Sequence, residues 1–350
     1  MRIPDQSAHS RDRVPRLLGA AVALAASGAL LAACAAVPVS TPGPSATEPA
    51  STPPPAAEEG FGLPLDVPPD SPAAAALADP ASTLSDRGRR LIEGLAKQPT
   101  AVWITSPKDT VAQQVLGVVE GAASRGAIPV LVAYNIPDRD CGGHSATGTV
   151  ADPDGYRAWV EAFAAGLAGH RAVVIVEPDA ISQMDCLDDQ EREERLDLLR
   201  EATTAFVAAG ADVYIDAGHS AWLAPDVIAE RLLRAGVEQA AGFSLNVSNF
   251  RSTEQQIDYG REVASRLPGE PHVVIDTSRN GWPSDSGEWC NPWDRALGAP
   301  PTTDTGDEFV DAFLWIKTPG QSDGECNGGP PAGQWWSDYA LMLADNATPD

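Results

Sequence analysis

Seven short apolar runs alternate with longer amphipathic stretches from residue 100 to the end of the chain. This alternation, repeated at a spacing of roughly 30–40 residues, is typical of strand–helix units in a parallel sheet. The predicted strands are 101–105, 128–134, 172–177, 212–216, 242–246, 272–276 and 313–317. The helical patterns are 110–124, 153–168, 190–209, 252–266 and 334–344. The sequence therefore predicts an α/β protein with about seven parallel strands.

Polar residues stand at or just past most of these strand ends. They are Tyr134, Asp140, Asp179, Asp216, Asn246, Asn249, Asp276, Arg279, Lys317 and Asp323. In a (β/α) barrel such ends converge on one face and form the active site. The lack of a Gly-rich phosphate loop also favours a distorted barrel over a nucleotide-binding open sheet, although periodicity alone does not decide closure. An Asp after a strand also commonly caps a helix, and for Asp276 both interpretations stand.

The cysteines indicate disulfides and therefore an oxidising compartment. Of five cysteines, four flank the candidate acidic residues, and they allow three connectivities. We favour Cys141–Cys186 and Cys290–Cys326, because each pair is sequential and closes a moderate loop that stabilises by roughly 3–4 kcal/mol. A bridge between Cys141 and Cys186 would draw the loops of Asp140 and Asp179 together.

The N-terminal segment predicts export. Residues 1–33 combine four arginines with an apolar stretch, as in a signal peptide. Residues 31–34 resemble a bacterial lipobox, which makes Cys34 the expected lipidated residue; an ordinary signal or membrane anchor is the alternative. Residues 34–60 are rich in Pro, Ala, Ser and Thr and predict a tether. We therefore expect a catalytic domain at 61–350, secreted and lipid-anchored on the outer face of the bacterial membrane.

Composition and motifs exclude several classes of function. The net charge of −25 argues against nucleic acid as a partner, because phosphate backbones require basic surfaces. The five histidines have no paired ligand spacing and no G-x-S-x-G motif is present, so we predict no metal, no cofactor and no serine triad. Carboxylates and nine tryptophans remain. Indole faces beside acidic and amide groups favour a sugar-binding cleft.

Eight motifs, in order, carry a resemblance to a known family. They are YNIPDRDCG, VIVEPDAI, IDAGHSAWL, SLNVSNF, IDTSRNG, EWCNP, PTTDTG and LWIKTPGQSDG. Together they resemble glycoside hydrolase family 6, the cellulases that invert at β-1,4-glucosidic bonds, from about residue 61 to the C-terminus. The resemblance implies a distorted parallel α/β barrel with a substrate cleft across the strand ends.

The resemblance also implies catalytic roles. Asp179 resembles the general acid that protonates the leaving oxygen, and Asp140 the neighbouring aspartate that influences its proton. Tyr134 resembles the residue that favours a distorted sugar ring. Asp323 resembles the proposed base, which acts on the attacking water, and Ser145 could hold that water. Inversion requires room for the water between the carboxyl groups.

Further positions match the family's glucose-binding residues, and some depart from the pattern. The matching residues are Trp103, Asp216, His219, Trp222, Asn246, Asn249, Trp289 and Lys317. Gln321 stands where the family usually has Glu, and the segment between Arg279 and Arg295 also differs. We expect altered activity or pH dependence from Gln321, whose amide can still hydrogen-bond a hydroxyl.

The favoured prediction is a monomeric endo-β-1,4-glucanase that acts on cellulose or a related β-glucan. The segments after Cys141 and Asp323 are short, which favours an open cleft over the tunnel of a cellobiohydrolase. Two alternatives remain at this stage: a cellobiohydrolase, and a glucan-binding lipoprotein without turnover, for which Gln321 is the hint.

Overall fold

The computed structural model describes residues 61–139, 141, 148–269 and 271–348. Its strands are β1 (Val102–Ile104), β2 (Val130–Ala133), β3 (Val173–Val176), β4 (Asp212–Asp216), β5 (Gly242–Leu245), β6 (His272–Asp276) and β7 (Val310–Leu314). Its helices are α1 (Pro72–Ala78), α2 (Asp86–Ala96), α3 (Lys108–Ser124), α4 (Pro153–Leu167), α5 (Asp189–Ala208), α6 (Pro225–Arg234), α7 (Thr253–Ala264) and α8 (Ser337–Asn346), with a 3₁₀ turn at Val237–Gln239. The predicted α/β class is confirmed.

The strands form one parallel sheet in chain order, from β1 to β7. The sheet curls until the segment before β1 approaches the segment after β7, where the Ala101 amide donates to the Trp315 carbonyl at 3.0 Å. The Trp103 indole also donates to the Ile316 carbonyl at 2.8 Å. The result is a curled half-barrel whose strand ends face one cleft.

Alternating side chains divide the core into two layers. In β3, Val174 and Val176 join the helices in the outer cluster, whereas Val173 and Ile175 point into the inner cluster. This period of two is the ordinary alternation of a strand. Because both faces of the sheet are covered, its strands read as continuous apolar runs.

Helices α4, α5 and α7 begin within one residue of the predicted positions. The Asp152 and Ser252 side chains accept from the first-turn amides of α4 and α7, and Asp188 forms a capping box with Glu191 at α5. Where β3 ends, α5 begins only after a twelve-residue loop, Glu177 to Asp188, and that loop carries Asp179.

Several predicted element boundaries differ from the structure by one to three residues. The last strand is β7 at Val310–Leu314, three residues earlier than predicted, because the Lys317 amide leaves the ladder and donates to the Asp276 carboxylate at 2.9 Å. Helices α1, α2 and α6 were not predicted, since their apolar faces are short and α1 and α2 precede the repeating strand–helix pattern.

Both favoured disulfides are present. The Cα atoms are 5.4 Å apart in Cys141–Cys186 and 6.1 Å apart in Cys290–Cys326. Among the described residues, no helix has the length and hydropathy required to cross a bilayer. Cys34, the 1–33 segment and the 34–60 tether lie outside the described residues.

Candidate active site

A cleft of about 900 Å³ opens at the carboxyl ends of the strands. Its described lining contains ten of the residues singled out from the sequence: Trp103, Tyr134, Asp179, His219, Trp222, Asn249, Trp289, Lys317, Gln321 and Asp323. These residues come from segments that are distant in the chain, and the parallel sheet brings them to one edge.

One wall of the cleft is aromatic. The rings of Trp103 and Tyr134 meet edge to face with centroids 4.9 Å apart. Behind Tyr134, the Arg139 guanidinium lies 3.9 Å from the ring centroid and donates to the Tyr134 carbonyl at 2.6 Å. Arg139 and Tyr134 are both buried, so the guanidinium packs against the face of the phenol ring and restricts its movement.

Asp179 lies in a tight turn after β3. Glu177 and Asp179 have φ values of +45° and +72°, the left-handed region that residues other than glycine rarely adopt. The Asp179 amide donates to the Asp216 carboxylate at 2.9 Å. The surrounding contacts therefore maintain a strained turn, and Asp179 is left half-buried at the cleft.

Asp216 itself does not face the cleft. Its side chain is fully buried and accepts from the Asp179 and Gly218 amides and from the Ser244 hydroxyl at 2.9, 3.2 and 3.1 Å. Burial raises the pKa of Asp216 to about 6, although these hydrogen bonds oppose the shift. Because Asp216 binds the Asp179 amide, it positions Asp179.

Asp323 lies between two cations. Arg279 Nη1 is 2.8 Å from Oδ2, and Lys317 Nζ is 3.0 Å from Oδ1. The Asn291 amide also donates to Oδ2 at 3.0 Å. Burial alone would favour the neutral acid, but Arg279 and then Lys317 outweigh it and hold the pKa of Asp323 below its usual range. Asp323 is therefore a carboxylate at neutral pH.

His219 and Trp222 form another part of the cleft lining. The His219 and Trp222 rings have centroids 5.4 Å apart. Burial, with a smaller effect of Arg251, lowers the pKa of His219 to about 4, so this imidazole is neutral, and its Nδ1 accepts from the Ala221 amide at 3.2 Å. A neutral imidazole beside an indole can form a hydrogen bond with a sugar hydroxyl.

The two asparagines differ in exposure. Asn249 lines the cleft and is half-buried. Asn246 is fully buried, with its amide nitrogen donating to the Asp276 carbonyl at 2.9 Å and its oxygen accepting from the Arg251 amide at 3.1 Å. Asn246 therefore stabilises the loop after β5 through these buried hydrogen bonds.

Asp276 does not cap a helix. It is buried at the end of β6, and its carboxylate accepts from the amides of Ser248, Ser278 and Lys317 at 3.0, 2.9 and 2.9 Å. Burial raises the pKa of Asp276, against these bonds. The residue ties the loops after β5, β6 and β7 together.

Trp289 stands in the loop after β6 with 48% of its surface exposed, and it lines the cleft beside the Cys290–Cys326 bridge. Gln321, half-buried, lines the cleft near Lys317 and Asp323. Asp140 and Ser145 lie outside the described residues.

Sequence reasoning missed Glu177. This residue is 1% exposed, and its carboxylate accepts from the Asn135 and Ile136 amides and the Tyr156 hydroxyl at 2.9, 3.1 and 2.9 Å. Burial raises the pKa of Glu177 to about 7. The available signal was an acidic residue directly after a wholly apolar strand, where only a well-bonded carboxylate is tolerated.

A cleft that joins ionisable carboxylates to indole and phenol rings is typical of proteins that bind and process sugar polymers. Comparison with known proteins agrees: residues 65–347 match the family described as Glycosyl hydrolases family 6. The chain belongs to this family.

Several relatives are bacterial. Endoglucanase A of Cellulomonas fimi is 44% identical over 266 residues, 75% of this chain and 58% of that protein. Endoglucanase 1 of Streptomyces halstedii is 41% identical over 285 residues, 79% of this chain and 86% of that protein. Among solved structures, the endoglucanase Cel6 of Mycobacterium tuberculosis has a TM-score of 0.77 at 44% identity, covering 82% of this chain and 98% of that one.

Proposed function

We propose that this protein hydrolyses internal β-1,4-glucosidic bonds of cellulose or a related β-glucan, with inversion of configuration. The observation that carries the proposal is the cleft in which Asp179 and the ionised Asp323 lie among Trp103, Tyr134 and Trp289. Relatives named endoglucanases, 41–44% identical, support the same reaction.

In this proposal Asp179 protonates the leaving glycosidic oxygen, and Asp323 promotes attack of water from the opposite side of the sugar. Tyr134, backed by Arg139, crowds the reacting ring, and Asp140 influences the proton on Asp179. Ser145 holds the water. Trp103, Trp222 and Trp289 supply faces for pyranose rings, while His219, Asn249, Lys317 and Gln321 bind hydroxyls.

The experiment is hydrolysis of a soluble cellulose derivative by the wild-type chain and by Asp179→Asn. We expect rapid chain shortening and α-anomeric products from the wild type. Loss of a general acid typically costs 10²–10⁴-fold, and binding of a cello-oligosaccharide should be retained in the variant. Full activity of Asp179→Asn would refute the assignment of the acid.

A second candidate, a glucan-binding protein without turnover, is favoured by one observation. Both oxygens of Asp323 are already engaged by cations, which weakens it as a base. Affinity for oligosaccharides without any product from the wild type after long incubation would select this candidate. Release of mainly cellobiose from chain ends would instead indicate a cellobiohydrolase.

We also propose that Cys34 is lipidated and that residues 34–60 tether a monomeric catalytic domain, 61–350, to the outer face of the membrane. The support is the lipobox-like sequence at 31–34 and the composition of the tether. Fractionation of cells that express Cys34→Ala tests the proposal: we expect release from the membrane, and an unchanged membrane fraction would contradict it.

A further inference from the structure

A buried arginine behind the cleft joins two of its loops. Arg195 lies in the second turn of α5 and is 3% exposed. Its Nη2 donates to the Pro137 carbonyl at 2.7 Å, in the loop after β2 that begins with Tyr134. Its Nη1 donates to the Ala180 carbonyl at 3.2 Å, directly after Asp179. One planar guanidinium thus spans the two segments that carry Tyr134 and Asp179.

The turn that Arg195 holds is strained. Glu177 and Asp179 both have positive φ, and such a backbone persists only where its surroundings determine it. The Asp216 carboxylate fixes this turn through the Asp179 amide, at 2.9 Å. Arg195 fixes the same turn through the carbonyl of the next residue, Ala180, at 3.2 Å.

A second buried group completes the connection. The Glu177 carboxylate, at the end of β3, accepts from the Asn135 and Ile136 amides of the loop after β2. Burial lowers the pKa of Arg195, and the negative charge of Glu177 is the largest effect that opposes this shift, so the two groups attract one another. Consecutive residues 135, 136 and 137 are therefore held by groups that belong to the loop of Asp179 or to the helix behind it.

We propose that Arg195 is a positioning residue for the reaction: it sets the placement of the Asp179 turn relative to the Tyr134 loop without touching substrate. The inference rests on the proposed hydrolytic function. Its functional consequence is specific, because misplacement of a catalytic group by about 1 Å can cost 10²-fold in rate while leaving substrate contacts elsewhere intact.

The test compares Arg195→Lys with Arg231→Lys. Lysine keeps the positive charge but has a single ammonium that cannot reproduce the fork between two carbonyls. Arg231, in α6, is the matched control: it donates to the Ile181 carbonyl at 2.8 Å in the same loop and makes no hydrogen bond to the described residues of the loop after β2. Both variants remove an arginine that is hydrogen-bonded to the same loop.

For Arg195→Lys on a soluble cellulose derivative, we expect kcat to fall roughly 10-fold to 100-fold with KM changed far less. For Arg231→Lys, kcat should stay close to wild type. Affinity for a cello-oligosaccharide and Tm, measured on the same samples, separate misplacement from unfolding. An Arg195→Lys enzyme with normal kcat, or with a raised KM alone, would overturn the proposal.

If Arg195→Lys does not fold, Arg195→Gln replaces it, because the glutamine side chain keeps one amide donor. Its kcat is measured at a temperature where its folded fraction equals that of Arg231→Lys. The same expected fall in kcat then decides. Failure of both substitutions to fold would show that Arg195 is required for the structure and would also overturn the proposal. Failure of the underlying function is recognised separately, since a wild-type chain that gives no product refutes the hydrolase itself.

Discussion

Buried carboxylates at strand ends are the residues that shape this cleft. Glu177 closes β3, Asp216 closes β4 and Asp276 closes β6, and each accepts backbone amides from a neighbouring loop. A buried carboxylate that accepts several N–H bonds is tolerated in an apolar sheet and fixes the donors in return. The loops that carry Asp179 and Lys317 are therefore attached through side chains of adjacent strands.

These groups predict a pH dependence of stability. The folded-state pKa of Glu177, about 7, and of Asp216, about 6, lie above the ordinary values of 4.5 and 3.8. The folded protein therefore binds more protons than the unfolded chain between about pH 4 and 7, and the free energy of unfolding should fall as pH rises through this window. Urea unfolding at intervals from pH 4.5 to 8 measures it.

The control is Glu177→Gln. Its side chain cannot ionise, so the variant lacks the group that titrates with a raised pKa. The free energy of unfolding of this variant should change less with pH between pH 5 and 7.5 than that of the wild type. A slope equal to that of the wild type would exclude Glu177 as the titrating group.

The ion pair of Arg279 with Asp323 predicts a large loss on mutation. Both side chains are buried, so Arg279→Met leaves the Asp323 carboxylate with Lys317 as its one remaining cation among the described residues and should lower the free energy of unfolding by up to about 3–5 kcal/mol. The exposed pair of Arg171 with Asp212 is the comparison, and Arg171→Gln should cost less than about 1 kcal/mol. Equal effects in chemical denaturation would contradict the assignment of the buried pair.

At the scale of elements, α3 and α4 pack with almost no space between them. A Cβ on Gly166 of α4 would lie 2.6 Å from the Ala112 carbonyl oxygen and 2.8 Å from the Val115 Cβ. Gly166→Ala should therefore force the helices apart and lower Tm, at a cost of roughly 1–3 kcal/mol.

Gly117 of α3 offers the opposite case in the same helix pair. A Cβ there meets nothing within 4 Å, so Gly117→Ala should raise the stability by about 0.5–1 kcal/mol through helix propensity alone. Thermal unfolding of the two variants side by side checks both signs. A neutral Gly166→Ala would show that the helices separate without strain.

The loop after β6 depends on its disulfide. Cys290–Cys326 closes a loop with a sequence separation of 36, and the adjacent Asn291 amide holds Asp323. The double substitution Cys290→Ser with Cys326→Ser should cost about 3–4 kcal/mol in stability. It should also reduce kcat, because Asn291 loses its anchor. Calorimetry and turnover of this variant, beside one that lacks Cys141–Cys186, separate the two effects.

At the scale of the whole molecule, the described fold begins with a buried ring. Phe61 is 5% exposed and meets Tyr214 edge to face at 6.3 Å inside the curled sheet. A chain of residues 61–350 should therefore unfold at the same Tm as the full-length protein. Phe61→Ala in that chain should cost about 3–5 kcal/mol. A lower Tm for the 61–350 chain itself would move the domain boundary towards the N-terminus.

Much of the architecture could be predicted from the sequence. All seven strands were found in order, because most are short apolar runs, and those in the middle of the sheet are buried on both faces. The disulfide pairs followed from sequential spacing, and the family followed from the motifs. The seventh strand was placed late, because a long apolar run does not itself show where pairing stops.

The contribution of individual site residues was harder to predict. The sequence placed Asp216 and Asn246 among sugar ligands, yet both side chains are fully buried and bonded to the backbone of neighbouring loops. Arg195 and Glu177 were not singled out at all. Their partners are far along the chain: 58 residues separate Arg195 from Pro137, and 42 separate Glu177 from Asn135.

The local sequence thus determined which segments are strands, which loops carry acidic and aromatic groups, and which cysteines can pair, because these properties depend on composition and short spacing. The tertiary structure decided which carboxylates face the cleft and which turn inward to hold the loops. That choice depends on the register and curl of neighbouring strands, since a buried carboxylate requires amide donors that only the assembled sheet brings within 3 Å.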